Sequence, residues 1–216
     1  MRIGVDIQNL RKNYQPELLV KQKANKNPFS QFNIWLDKAL TTEPIEPNAM
    51  NLATVSKDGE VSSRVVLLKS FDKKGFVFFT NYNSQKANDL DAATSVALNF
   101  WWERLYRQVR IQGEVQRVSD NESKEYFNSR PRGSQIGALA SQQSQVIESY
   151  AVLEKEYQRL ELRYQNQEIP CPEHWGGYRV IPKLFEFWQG RPNRLHDRLR
   201  YTQTSTEVWK IERLAP

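Results

Sequence analysis

Cysteine and histidine are scarce in this chain of 216 residues, which has one cysteine, Cys171, and two histidines. A single cysteine excludes a disulfide bond within the chain. A standard zinc site needs about four nitrogen or sulfur ligands, so these residues form one only with help from several carboxylates. We therefore expect no bound metal.

Long hydrophobic runs and nucleotide-binding glycine loops are also missing. No apolar stretch has the length of a membrane span, and the N-terminal residues MRIGVDIQNLRKNY lack the apolar core of a signal peptide. We expect no membrane partner and a cytoplasmic location. The patterns GxxxxGK[ST], GxGxxG and GxSxG do not occur, which argues against nucleotide hydrolysis, dinucleotide binding and serine-hydrolase chemistry.

Aromatic residues and positive charge are what the chain does contain. Six tryptophans, nine tyrosines and ten phenylalanines within a hydrophobic fraction of 39% predict a folded domain rather than a disordered chain. The formal net charge is +6, with 31 basic and 25 acidic residues interspersed. This charge balance is compatible with binding of nucleic acid, with binding of a phosphorylated small molecule, or with a role in solubility alone. The positions of the charges along the chain must distinguish these explanations.

Hydrophobic spacing and turn residues predict an α+β fold, built on an antiparallel barrel with flanking helices. Asp58-Gly59 and Gly75 mark hairpin turns, Ser84 is a predicted helix cap, and Ser119 with Glu122 has the spacing of a capping box. The predicted helices cover 28–40, 84–93, 119–131, 134–144 and 146–165, and the predicted strands cover 50–56, 61–71, 76–81, 95–102, 107–118 and three segments within 178–216, with turns at 190–193 and 203–205. We expect residues 1–27 to form a flexible arm or active-site lid and 28–216 to form a single domain.

Two predicted strands carry rows of cations. In RPNRLHDRLRY, residues 191–201, strand alternation places Arg194, His196 and Arg198 on one face, which suits either an anion site or an exposed edge strand. In 61–71, Arg64 and Lys69 flank an apolar centre on opposite faces of a predicted central strand. Cations at strand ends also commonly reach solvent, so the sequence leaves both interpretations open.

A third group of polar residues belongs to predicted helices. Tyr126 and Arg130 are four residues apart, with Ser134 beyond Pro131. Together they could bind a phosphate, or they could simply be exposed at the surface. Thr80, Ser84 and Lys86 lie at a helix start, where backbone amides favour anions. The aromatic and basic segment NFWWERLYRQVR suits single-stranded nucleic acid, but aromatics in a barrel are more often core. We expect no nucleic-acid partner.

Six segments, taken together, resemble the pyridoxine (pyridoxamine) 5′-phosphate oxidase family: RVVLLK, YFNSRPRGSQIGALAS, HWGGYRV, EFWQG, RLHDR and WKIERLAP. They follow in order over nearly the whole chain. The resemblance implies an FMN-binding split barrel that works as a homodimer with active sites at the interface. It also implies oxidation of pyridoxamine or pyridoxine 5′-phosphate to pyridoxal 5′-phosphate in vitamin B6 metabolism. In that reaction a hydride passes from C4′ to N5 of FMN, O₂ becomes H₂O₂, and pyridoxamine 5′-phosphate also yields ammonia.

The resemblance also assigns residues. Arg64 is expected at the FMN phosphate, Lys69 at the substrate phosphate, and Arg194 and His196 over the substrate ring as catalytic residues. The expected FMN contacts are Arg64, Val65, Val66, Leu67, Leu68, Lys69, Phe79, Thr80, Gln85, Lys86, Gln108, Gln143, Ser144, Trp188 and Arg198. The expected substrate contacts are Arg11, Tyr14, Lys69, Tyr126, Arg130, Ser134, Arg194 and His196.

One position departs from the family pattern. Gln85 stands where the family commonly has arginine before the lysine. A neutral amide gives up a charge-assisted hydrogen bond to phosphate, worth about 1.5 to 3 kcal/mol, so we expect weaker FMN binding. A split-barrel flavoprotein with a different substrate is the competing interpretation.

Overall fold

The structure is a computed structural model, and it describes residues 17–216. The predicted lid residues Arg11 and Tyr14 lie outside this range. The helices are α1 (Pro28–Thr42), α2 (Gln85–Ala92), α3 (Asp120–Ser129), α4 (Arg132–Ala140) and α5 (Tyr150–Arg163). The strands are β1 (Ala49–Val55), β2 (Val61–Leu67), β3 (Ser70–Asp72), β4 (Gly75–Asn81), β5 (Ser95–Trp102), β6 (Arg107–Arg117), β7 (Trp175–Gln189), β8 (Asp197–Ser205) and β9 (Val208–Leu214).

The strands form one sheet in the order β2-β1-β5-β6-β7-β4-β3, and β8 pairs with both β7 and β9. The pairs β1–β2, β1–β5, β3–β4, β4–β7 and β8–β9 are antiparallel. Gly59 turns the first hairpin at a φ of 84°, and Gly75 begins β4 at a φ of 140°. Both conformations favour glycine, so the predicted hairpin turns are confirmed.

Local signals set the ends of two helices as the sequence predicts. The Asn27 side chain accepts hydrogen bonds from the backbone N–H groups of Phe29 and Ser30 at the start of α1, which ends two residues before Pro44. Ser119 Oγ accepts from the N–H of Glu122, at 3.1 Å, at the start of α3. The predicted helix stop before Pro131 is also confirmed, because α3 ends at Ser129.

The prediction that residues 61–71 form one central strand is wrong. β2 ends at Leu67, β3 begins at Ser70, and β2 lies at the end of the strand order. Lys69 lies in the connection, where its backbone N–H donates to Val77 O at 2.9 Å. Because Lys69 is not part of the strand that carries Arg64, strand alternation does not relate the two side chains.

The predicted cationic row on the last hairpins is wrong for two of its three members. Residues Pro192–Arg194 form a turn of 3-10 helix, in which Arg194 has a φ of 61°, and β8 begins only at Asp197. Of the row, only Arg198 lies in the strand, because the positive φ values of Asn193 and Arg194 interrupt the extended backbone. The β8–β9 turn falls at residues 206–207 rather than 203–205, and α5 begins at Tyr150 rather than Val146.

The chain divides into two compact units. The described part of the terminal unit contains residues 17–47, 101–110 and 185–216, and the central unit contains 48–100 and 111–184. The terminal unit packs Trp35 edge-on against Phe187, with ring centroids 5.3 Å apart. In the central unit, Phe127, Ile136 and Leu160 form a buried cluster beneath α3, α4 and α5. None of the helices in residues 17–216 combines the length and apolar character that crossing a bilayer requires.

Candidate active site

Arg64 is fixed on β2 by hydroxyl groups. Its Nη1 donates to Thr54 Oγ1 at 2.7 Å, and its Nη2 donates to Ser62 Oγ. Side chains two residues apart share one face of a strand, and the β1–β2 register pairs Ser62 with Thr54. Burial lowers the pKa of Arg64, and the negative charge of Asp89 raises it by a smaller amount. A guanidinium nevertheless keeps its proton at neutral pH.

Asp89 of α2 is a buried carboxylate beside this arginine. Its Oδ2 lies 3.6 Å from Arg64 Nη2 and accepts a hydrogen bond from Thr54 Oγ1 at 2.6 Å, and its Oδ1 accepts from Gln85 Nε2 at 2.8 Å. Burial alone would raise the pKa of Asp89. The hydrogen bonds from Thr54 and Gln85 and the charge of Arg64 outweigh burial and hold that pKa below its usual value.

Lys86 lies on the same helix and near the same arginine. Its Nζ donates to Gln143 Oε1 at 2.9 Å and to Thr80 Oγ1 and Ser84 Oγ, both at 3.2 Å. Burial, followed by repulsion from Arg64, lowers the pKa of Lys86 from 10.5 to about 8. Two cations thus share a partly buried position, and an anion there would relieve both the desolvation and the repulsion.

The Gln143–Ser144 segment closes over the start of α2. The backbone N–H of Gln85 donates to Ser144 Oγ at 3.2 Å, and Ser144 has a φ of 71°. Asn81 Nδ2 holds the same segment through Ser141 O at 3.3 Å. The predicted FMN contacts Thr80, Gln85, Lys86, Gln143 and Ser144 therefore form one connected network.

A cavity of about 300 Å³ adjoins this network within the central unit. Arg130, Ser134, Gln143 and Trp175 are among its lining residues. The guanidinium carbon of Arg130 lies 4.8 Å from the Trp175 ring centre, and its Nη1 is buried without a hydrogen-bond partner among the described residues. Burial also lowers the pKa of Arg130. A buried guanidinium nitrogen without a partner is costly, which suits the cavity to an anionic ligand.

A stack of aromatic rings holds Tyr126 near Arg130. The rings of Phe79 on β4 and Tyr126 on α3 stack with centroids 4.0 Å apart, and Phe79 also stacks on Trp175 at 5.4 Å. Tyr126 and Arg130, four residues apart, both lie against Trp175. The two side chains therefore meet at Trp175, but not on a shared helical face as predicted, because α3 ends at Ser129 and Arg130 has an extended backbone.

The terminal unit contains a histidine with a defined tautomer. The His196 ring lies 4.5 Å from Trp188, and its Nδ1 accepts a hydrogen bond from the Arg191 backbone N–H at 3.0 Å. The neutral ring therefore carries its hydrogen on Nε2. Burial, followed by the charge of Arg194, lowers the pKa of His196, which favours this neutral form at pH 7.

Arg198 is held by a second buried carboxylate. Its Nε donates to Glu186 Oε1 at 2.8 Å, and its Nη1 donates to Ala215 O at 2.8 Å. Glu186 also accepts from Arg110 Nη1 at 3.3 Å, and its side chain is only 7% exposed. The neighbouring Arg194 is exposed at the end of the 3-10 turn.

The predicted site residues are thus divided between the two units. Gln108, Trp188, Arg194, His196 and Arg198 belong to the terminal unit, and the other predicted residues in 17–216 belong to the central unit. Lys69 and Val65 are exposed, whereas Leu68 is buried.

The sequence analysis did not identify Asp89 or Trp175 as site residues. The only local signal for Asp89 was its position four residues after Gln85, and Trp175 is indistinguishable from a core residue by composition.

Comparison with solved structures shows which fold class the chain belongs to. A pyridoxamine 5′-phosphate oxidase-related, FMN-binding protein from Nostoc punctiforme matches with a TM-score of 0.70 and 14% identity over 86% of this chain and 97% of its own. PhzG from Burkholderia lata, solved in complex with tetrahydrophenazine-1-carboxylic acid, matches with a TM-score of 0.87 and 28% identity over 93% of this chain and 99% of its own. The predicted α+β split-barrel fold is confirmed.

Sequence comparisons show the family. The family model described as pyridoxamine 5′-phosphate oxidase matches residues 36–164, and the model of the pyridoxine 5′-phosphate oxidase C-terminal dimerisation region matches 175–216. A pyridoxine/pyridoxamine 5′-phosphate oxidase from Acaryochloris marina is 56% identical over 97% of this chain and 95% of its own length. The chain belongs to the pyridoxamine 5′-phosphate oxidase family.

Proposed function

We propose that this chain is an FMN-dependent oxidase that converts pyridoxamine 5′-phosphate and pyridoxine 5′-phosphate to pyridoxal 5′-phosphate. The observation that carries the proposal is the cavity lined by Arg130 and Ser134, together with a buried Nη1 of Arg130 that has no hydrogen-bond partner among the described residues. Membership of the family supports the proposed reaction. The cavity supports the proposed position of the substrate phosphate.

The central unit fits the phosphate of FMN. Arg64 and Lys86 provide two cations, and burial, followed by repulsion from Arg64, lowers the pKa of Lys86 to about 8. Hydroxyl groups of Thr80 and Ser144 lie in the same network, as does the amide of Gln143. We assign FMN binding to these residues. FMN, when bound, supplies the redox chemistry, accepting a hydride from C4′ of the substrate and returning electrons to O₂ as H₂O₂ is formed.

Tyr126, Arg130 and Ser134 would bind the substrate phosphate, with Lys69 as a further cation. Arg130 is held against Trp175, and Tyr126 is held by its stack on Phe79. Such preorganised groups convert binding energy at the phosphate into orientation of the distant C4′ carbon.

Arg194 and His196 would act at the substrate ring. With Nδ1 occupied by the Arg191 N–H, neutral His196 presents Nε2–H as a hydrogen-bond donor. Arg194 contributes positive charge nearby and helps to lower the pKa of the imidazole. In this proposal His196 orients and polarises the ring, and neither residue is required to remove a proton from C4′.

The proposal includes a homodimer with active sites at the interface and a cytoplasmic location. The match of residues 175–216 to a dimerisation region supports the dimer. A single cysteine is compatible with a reducing compartment. Arg11 and Tyr14, and the arm or lid of residues 1–27, stay predictions.

Reduction of the bound flavin by substrate tests the proposal. The purified protein is mixed with pyridoxamine 5′-phosphate without oxygen, and the visible flavin absorbance is followed. We expect bleaching in the wild type. We expect Arg130→Met to need at least about tenfold more substrate, since it removes a charged partner of the phosphate. Arg132→Met is the matched control, because Arg132 donates to the backbone oxygens of Tyr164 and Gln167 instead.

The results separate the alternatives. A yellow protein that does not bleach would reject this substrate and favour a split-barrel flavoprotein of different specificity. A protein that binds no FMN would reject the flavin proposal itself. An unchanged substrate requirement in Arg130→Met would remove the cavity from the substrate site.

A further inference from the structure

Asp89 is a buried acid in a network of cations. Its side chain is 3% exposed and receives hydrogen bonds from three elements. Thr54 on β1 donates at 2.6 Å, Ser62 on β2 at 3.4 Å, and Gln85 on α2 at 2.8 Å. A carboxylate at this depth is costly unless it is paired and hydrogen-bonded, and here it is both.

The hydroxyl groups that bind Asp89 are the same ones that bind Arg64. Thr54 Oγ1 donates to the carboxylate and accepts from Arg64 Nη1 at 2.7 Å. A hydroxyl has one hydrogen, so its donation to Asp89 turns its lone pairs toward the guanidinium. Ser62 Oγ is placed in the same way between Asp89 and Arg64 Nη2. The carboxylate therefore fixes the two hydroxyl groups that orient the Arg64 side chain.

We propose that Asp89 is a positioning residue for the FMN phosphate: it holds Arg64 in place through Thr54 and Ser62 and does not contact the phosphate itself. The inference rests on the proposed FMN binding. Direct contact is unfavourable because a carboxylate and a phosphate carry charge of the same sign. Asp89 also binds the side chain of Gln85, so one carboxylate organises both the arginine and the residue that departs from the family pattern.

Charge balance supports this role. Asp89 keeps its pKa below the usual value despite burial, so it is ionised at neutral pH. Its charge raises the pKa of Lys86, against the larger effects of burial and Arg64. One negative charge thus reduces the repulsion between two cations before any phosphate arrives.

The test compares FMN with riboflavin, which lacks the phosphate. Flavin-free full-length protein is titrated with each ligand at pH 7, and binding is followed by quenching of flavin fluorescence. For Asp89→Asn we expect FMN affinity to fall about tenfold or more, with riboflavin affinity unchanged within twofold. Asp89→Glu should recover part of the preference for FMN. Asp91→Asn is the matched control, since Asp91 lies on the same helix but pairs with Arg117 at 2.6 Å.

A second variant guards against failed folding of Asp89→Asn. Thr54→Val keeps the shape of the side chain and removes the hydroxyl between Asp89 and Arg64, so it should show the same selective loss of FMN affinity. The proposal is overturned if these variants keep the wild-type ratio of FMN to riboflavin affinity, lose both affinities alike, or bind FMN more tightly. A wild-type protein without preference for FMN would instead reject the proposed function.

Discussion

The lowered pKa of Lys86 makes FMN binding sensitive to pH above neutrality. In the free protein, burial and Arg64 hold this pKa at about 8. A phosphate beside the ammonium group would favour its charged form and raise the pKa again. Binding above pH 8 must therefore take up a proton, and FMN affinity should fall as the pH rises.

The size of the effect follows from that pKa. If Lys86 stays charged in the complex, deprotonation of the free protein weakens binding by the factor 1 + 10^(pH − 8). With the pKa at about 8, this factor is about 1.1 at pH 7 and about 11 at pH 9, so the apparent Kd should rise about tenfold. A phosphate monoester has its second pKa near 6 and is already doubly charged across this range.

Titration calorimetry of flavin-free protein with FMN at pH 7, 8 and 9 measures both the affinity and the proton uptake. Lys86→Arg is the control, because a guanidinium stays charged throughout this range. We expect the affinity of that variant to stay nearly constant. A wild-type Kd that changes less than twofold between pH 7 and 9, without proton uptake, would refute the assignment of Lys86 to the phosphate.

Three further predictions concern the ring site, the second buried carboxylate and the sheet. Arg194→Ala should lower turnover or substrate affinity much more than flavin content, measured by steady-state kinetics and flavin absorbance; normal turnover would contradict its role. Glu186→Gln should weaken FMN binding about tenfold by loosening Arg198, and an unchanged Kd would contradict this. Gly113→Ala should cost about 3 kcal/mol or more in urea unfolding, because the new Cβ would lie 2.1 Å from Ile181 O, whereas Gly137→Ala meets nothing within 4 Å in α4 and should gain about 0.5 to 1 kcal/mol. Equal stabilities of the two variants would contradict that contrast.

The sequence predicts those parts of the fold that local interactions determine. The cap at Asn27 and the capping residue Ser119 depend on neighbours within three positions, and both helices begin as expected. Alternating apolar residues and the turn glycines Gly59 and Gly75 locate the hairpins for the same reason.

Contacts between distant residues explain the boundaries that the sequence misses. Residues 146–149 are predicted as helix, but the preceding segment is held by α2 and β4 through Gln143, Ser144 and Ser141. Helix α5 consequently starts at Tyr150. The break after Leu67 has a similar origin, because Leu68 N–H still donates to Asn48 O beside β1, whereas Lys69 N–H donates to Val77 O of β4. No pattern within either segment indicates these partners.

The residues of the candidate site are likewise only partly predictable from the sequence. Comparison of long motifs with a known family predicts which cations bind phosphate, since the residue types are unusual and their order is preserved. Asp89 is not found in this way because a search for an anion site favours basic residues and hydroxyls. Only the folded arrangement shows that Thr54 and Ser62 lie between Asp89 and Arg64.

A buried carboxylate beside a predicted cofactor arginine occurs in each unit. Asp89 forms an ion pair with Arg64 and shares its hydroxyl partners, and Glu186 forms an ion pair with Arg198. Arg130, in contrast, keeps a buried Nη1 without a partner among the described residues, and aromatic rings hold its guanidinium instead. A carboxylate at Arg130 would compete with substrate phosphate, which must enter and leave in every turnover. A cofactor that stays bound tolerates such an acid beside its arginine, because rigid placement then matters more than easy exchange.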